Sequence, residues 1–106
     1  MKVLNCIRFR PKTDCEEIVF QLIADRFFLN QPPAGLIDVS LVNNTVGEYT
    51  LIAQWENIEV FMELVNADVR IIDILRPYVI PYEDGEYFHS WSGPSIDLES
   101  FVSKKI

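Results

Sequence analysis

The chain has 106 residues, a formal charge of -7 from 16 acidic against 9 basic side chains, 49% hydrophobic content and 12% aromatics. That length holds one domain, residues 1–106, and apolar residues spread along it exclude wholesale disorder. Without a dense Lys/Arg face, nucleic acid and anionic membranes are excluded as expected partners, and no apolar run nears the roughly 20 residues of a bilayer span.

From Lys2 to Arg10 residues alternate as in a strand, with Val3, Asn5, Ile7 and Phe9 on one side and Leu4, Cys6, Arg8 and Arg10 on the other. "TDCE" follows, in which Thr13 and Glu16 have the spacing of a capping box, and Ile18, Val19, Leu22, Ile23 and Phe27 recur at helical spacing over Asp14 to Leu29. "NQPPAG" cannot continue that helix. Leu36 to Val42 reads as a second strand, "NNTVG" as a turn, and Glu48 to Glu56 as a third strand with Tyr49, Leu51, Ala53 and Trp55 on one face. Asn57 caps a second helix striped by Ile58, Phe61, Leu64 and Val65, and Asp68 is expected to cap a shorter piece ending at Pro77. A turn at Glu83 to Gly85 leads into a fourth strand from about Glu86 to Ser92, with Phe88 and Ser90 on one face and Tyr87, His89 and Trp91 on the other. Ile96, Leu98, Phe101 and Val102 leave an apolar tail over residues 95–106.

Strand, helix, strand, strand, helix, strand with right-handed crossovers is the α+β ferredoxin-like βαββαβ arrangement, an antiparallel four-stranded sheet with helices on one face. The other face then carries Leu4, Cys6, Ile52 and Gln54, too apolar for water and too polar for a monomer core, so a homodimer is expected through it, with the tail lying across the partner. Arginines in "MKVLNCIRFR" stand where a secretory signal needs its apolar centre, so a cytoplasmic protein is expected.

"EYTLIAQWENIEVFMEL", an apolar strand ending in Trp55 before a capped helix, resembles the dimeric α/β-barrel superfamily that includes the antibiotic biosynthesis monooxygenases. The resemblance covers nearly the whole chain as an element pattern and is sharpest over Tyr49 to Val69. It implies two ferredoxin-like sheets packed face to face and a pocket between sheet and helices in each subunit. Active members often carry Glu two residues before the Trp and His about nine residues after it; here Ala53 and Leu64 stand at those places, and Val69 at about the position of a further His or aromatic. Haem-degrading relatives resemble the chain at Asn5, but the histidine they need on or after the second helix is missing between Asn57 and Tyr78.

Among candidate chemical groups, the single histidine, His89, is read as a general acid/base in a pocket with Tyr87 and Trp91, or as a partly buried strand residue bonded to backbone or to a partner. Asn5 interrupts an apolar face; a buried amide needs partners, which a ligand carbonyl, a neighbouring strand or a buried water would supply. Trp55 and Tyr49 would line a sheet–helix pocket or belong to the core. Arg8 and Arg10, on the opposite strand face, reach carboxylates across a dimer or stay solvated. Two cysteines and one histidine offer no metal-ligand spacing, no nucleophile elbow is present, and the isolated glycines form no phosphate loop, so no metal and no cofactor is expected.

Two functions remain open. The first is a monooxygenase-like protein binding a small aromatic or quinone-like molecule, with cofactor-independent oxidation in which Asn5 orients the substrate oxygen, Trp55 and Tyr49 pack its ring and His89 takes the proton. The second is a non-catalytic homodimeric binding or assembly protein, favoured by the aliphatic residues at 53, 64 and 69.

Overall fold

The alternation is realised as β1 (Val3–Phe9), α1 (Glu16–Ala24), β2 (Leu36–Thr45), β3 (Glu48–Trp55), α2 (Ile58–Val65), α3 (Ile71–Leu75), β4 (His89–Pro94) and α4 (Leu98–Lys105). The structure is a computed structural model and describes residues 1–105. The tail expected over residues 95–106 thus falls on α4, except that Ile106 lies outside the described residues. All strand pairs are antiparallel in the order β2-β3-β1-β4, so the first strand lies inside the sheet. This is the ferredoxin-like order.

Strand alternation decides which side chains the helices cover. Val3, Ile7 and Phe9 stand opposite Trp55, Leu51 and Tyr49 in the β1–β3 register, and the first five of these are buried with Val19, Ile23 and Phe27 of the first crossover and Phe61, Ile71 and Leu75 of the second. Gly35, at φ +81, lets β2 begin close under α2: a Cβ there would run into the Val60 side chain. Its carbonyl accepts the Glu56 N–H at 2.8 Å, tying the start of β2 to the end of β3.

Three local expectations are corrected. Thr13 does not cap α1. The backbone turns through Asp14 at φ 66, Cys15 N–H bonds the Lys12 carbonyl at 3.0 Å, and the helix starts at Glu16, whose carboxylate accepts from Tyr49 Oη instead of reaching back. After Ala24 the helix widens into a π-helical turn, Asp25–Leu29, that keeps Phe27 buried. The second crossover resumes at Ile71, with Arg70 rather than Asp68 at its N-cap and the Asp73 carboxylate accepting the Arg70 N–H at 2.9 Å. β4 begins at His89, not Glu86. Past Arg8 the backbone of β1 is already bonded to the end of the second crossover, with Ile80 N–H on the Arg10 carbonyl and Lys12 N–H on that of Tyr78, each at 2.8 Å, so the β1 ladder does not extend to residues 86–88, and Glu86 instead bonds within its own turn, accepting from Tyr82 N–H at 2.8 Å. Asn57 caps α2 as expected, accepting from Val60 N–H at 3.0 Å.

Candidate functional site: a sheet–helix cleft and an open sheet face

A cleft of about 380 Å³ opens between β1, β4 and the second crossover. Ile7, Phe61, Leu64, Val65, Ile71 and Ile72 form its apolar walls, and Asn5, Ser90, Ser92 and Arg70 its polar points. The three neutral groups follow from register. Asn5 lies opposite Ser92 and Ile7 opposite Ser90, so these side chains share the helix-covered face at the edge of the sheet, where α2 and α3 do not close over β4. Such a site, mostly apolar with a few converging polar groups, has the size and chemistry of a small-molecule pocket.

The candidates read from the sequence divide between this cleft and other places. Asn5 is half-buried on its wall, and Trp91, 57% exposed on the edge strand, borders it. Trp55 does not reach it: the indole is 1% exposed and packs at 6.4 Å on Phe61, which does line the cleft, and its Nε1 makes no hydrogen bond in the core. Tyr49 lies at the far end of the same face, opposite Phe9, with its ring edge-on to Phe20 at 5.0 Å and its hydroxyl donating to Glu16 at 2.8 Å, a bond that raises its pKa. Tyr87 is half-buried beneath the Arg76 guanidinium, 5.5 Å from its ring centre. Ala53 is buried opposite Asn5, Leu64 lines the cleft, and Val69 is exposed.

His89 is on the other face of the sheet. It pairs with Arg8, next to the Cys6–Trp91 pair, and therefore does not share a pocket with Asn5 or with Tyr87. Arg8, which can only donate, bonds His89 Nδ1, so the imidazole accepts there and carries its proton on Nε2, which lies 2.8 Å from Asp84 Oδ2. The ring stacks on Tyr82 at 4.1 Å, with the guanidiniums of Arg10 and Arg8 at 4.4 and 5.1 Å from the same ring. Tyr82 Oη donates to Glu48 Oε2 at 3.0 Å, and Asn44 donates to Oε1 at 3.1 Å. Burial, and then the bond to Glu48, push the Tyr82 hydroxyl up to about 12. The Asn44 bond, helped by Tyr82 and the two arginines, holds the Glu48 carboxyl below its ordinary range. The cluster is an ordered network with a depression of about 310 Å³ beside it, lined by Arg10, Tyr82, Glu83, Asp84 and His89.

The rest of that face is apolar and uncovered. Leu4 is 39% exposed, Ile52 and Gln54 are half-buried, and burial raises the pKa of the Cys6 thiol between them and Trp91. α4 runs off the end of β4 with Leu98 and Val102 exposed, enclosing a concavity of about 770 Å³ against Lys2 and Gln54. Among the described residues no group of His, Cys, Asp and Glu could hold a metal ion, and no helix is long and apolar enough to cross a membrane.

Arg70, Ser90 and Ser92 are the cleft residues that sequence reading missed. Ser90 was visible as a polar interruption beside Phe88 on a strand face. Arg70 carried no signal, because it reads as one more polar position of an amphipathic helix.

No family model and no curated protein matches the chain. Solved structures do. SnoaB, a cofactor-independent oxygenase from Streptomyces nogalater, superposes with a TM-score of 0.66 at 18% identity, over 91% of this chain and 94% of its own. An antibiotic biosynthesis monooxygenase gives 0.67 at 11% identity, over 92% and 100%. A conserved protein from Methanosarcina mazei Go1 gives 0.73 at 10% identity, over 91% and 94%. The chain therefore has the ferredoxin-like α+β fold of the antibiotic biosynthesis monooxygenase-like proteins, as the strand ending in Trp55 implied.

Proposed function

We propose that the protein is a monooxygenase-like homodimer of single-domain subunits, cytoplasmic, whose sheet–helix cleft binds a small aromatic or quinone-like molecule. The observation that carries this reading is the cleft itself: about 380 Å³ of mostly apolar wall with Asn5, Ser90 and Ser92 aligned along its sheet side. A planar ring packs against Phe61 and Ile72, and the Asn5 amide donates to its oxygen. In the catalytic form of the proposal the ring is an electron-rich phenolate or enolate held away from water, and O2 reacts with it directly. One oxygen atom stays on the ring carbon, and the other leaves as water with the two hydrogens displaced.

A second reading is favoured by one observation. Among the described residues no carboxylate and no imidazole lines the cleft, so the chain supplies no general base there, which fits binding without turnover. His89 enters the catalytic proposal only from the opposite face, by holding Arg8 and the sheet end in place. O2 uptake with a hydroxynaphthalene panel separates the readings. Uptake above the spontaneous rate, lost in Asn5→Ala and in the cleft-filling Ile72→Trp variant, supports catalysis. A thermal shift without uptake supports binding alone, and neither response overturns both.

For the dimer, the uncovered patch of Leu4, Ile52 and Trp91 on the open face is the support. A two-fold axis would place it against itself. Sedimentation of wild type and Leu4→Arg tests this; a wild-type monomer at micromolar concentration overturns it.

A further inference from the structure

The cleft has one charge, and it is positive. In a chain of net charge -7, Arg70 is the single ionisable residue among the described residues that line it. Its backbone caps α3, and its guanidinium is ion-paired through Nε with Asp73 Oδ2 at 3.6 Å, with the side chain 42% exposed. The Asp73 carboxylate is meanwhile occupied by the Arg70 N–H at 2.9 Å. A second guanidinium flanks the same turn, since Arg26 donates to the Val69 carbonyl at 3.3 Å. A planar fork engaged by Asp73 at its Nε edge, set beside an apolar slot, still offers Nη donors that match a carboxylate in geometry and charge.

We propose that Arg70 makes the cleft selective for aromatic acids: the guanidinium binds a carboxylate on the ligand while the ring lies on Phe61 and Ile72. This rests on the reading that the cleft is the ligand site, and it adds the ligand's charge. Neutral rings of equal shape bind the same walls without the two charge-assisted hydrogen bonds and are discriminated against. Because the surrounding protein is acidic, the selectivity is local to this residue rather than a product of the overall field, which repels anions.

The test uses 2-naphthoate and its neutral isostere 2-naphthamide, titrated by calorimetry into wild-type protein and into Arg70→Gln, Arg70→Lys and Ile72→Trp, each first shown to keep the wild-type circular dichroism spectrum. The expected result is that wild type binds the acid roughly ten-fold or more tightly than the amide. Arg70→Gln should remove that preference by weakening the acid much more than the amide, Arg70→Lys should keep part of it, and Ile72→Trp should abolish binding of both. Equal affinities in wild type, or a preference that survives Arg70→Gln, overturn the role of Arg70 and leave the cleft standing. Binding that Ile72→Trp does not disturb, or no binding of either probe, overturns the cleft as ligand site and this proposal with it.

Discussion

The two faces of the sheet are built from the same strands, one residue out of phase, and their chemistry differs. On the covered face Val3, Ile7, Phe9, Leu51, Ala53 and Trp55 are all below 8% exposed, and the polar interruptions, Asn5 with Ser90 and Ser92, open onto the cleft. On the open face the same strands present an apolar half, Leu4, Cys6, Ile52 and Trp91, and a hydrogen-bonded half from Arg8 to Glu48, Tyr82 and His89. One face is held by exclusion of water, the other by geometry among polar groups. The lesson is that a polar residue has opposite meanings on the two: on the covered face it marks a place where the core is not closed, and on the open face it is one member of a hydrogen-bonded network.

The largest expected effect breaks the covered face. Trp55→Ala should cost about 3–5 kcal/mol, as removing a fully buried aromatic does, seen as a large drop in the denaturant midpoint. Ile52→Ala, on the same strand but facing the other way, should cost the folded subunit clearly less; equal losses would mean that the two faces are equally packed. Next comes the join between them: Gly35→Ala forces a Cβ into Val60 at a positive φ and should cost about 1–3 kcal/mol, read by thermal melting.

The open-face network should show itself through pH. Glu48 titrates below its ordinary value in the folded chain, so its contribution to stability is whole above about pH 4.5, the usual value, and fades as pH falls through the lowered one. Tyr82 is raised, so its contribution is whole below pH 10 and fades as pH climbs towards about 12. In an ultraviolet titration two of the four tyrosines, Tyr49 and Tyr82, should therefore ionise late, and Tyr82→Phe should delete the step at about 12. Acid melting curves of Glu48→Gln should be flatter than those of wild type between pH 5 and 3. The smallest effect is expected at the tail. Ending the chain at Ser95 removes α4 and should change subunit stability by no more than about 0.5 kcal/mol, because its exposed Leu98 and Val102 belong to no core. If α4 crosses a partner, the loss should appear in the dimer dissociation constant instead, measured by sedimentation.

The sequence by itself determined the order and type of the elements as far as β4, because most rest on patterns within a few residues: alternation from Val3 to Phe9, the stripe of α2 behind Asn57, the turn before β4; α4 reads only as an apolar tail. It determined which residues of β1 and β3 point the same way, and hence that Asn5 shares a face with Trp55. Tertiary structure decided what lies on those faces. Trp55 is a core residue and not a wall because Phe61, distant in pattern though near in sequence, stands over it. His89 left the expected pocket because its register against Arg8 turned it to the open side, where the β1–β4 ladder ends and Tyr78 and Ile80 bond the next residues of the chain. Arg70 joined Asn5, Ser90 and Ser92 only through the packing of the second crossover on the sheet. Local physics acts within a turn or a strand, whereas a site assembles side chains from segments separated by dozens of residues, and only the packed core sets their distances.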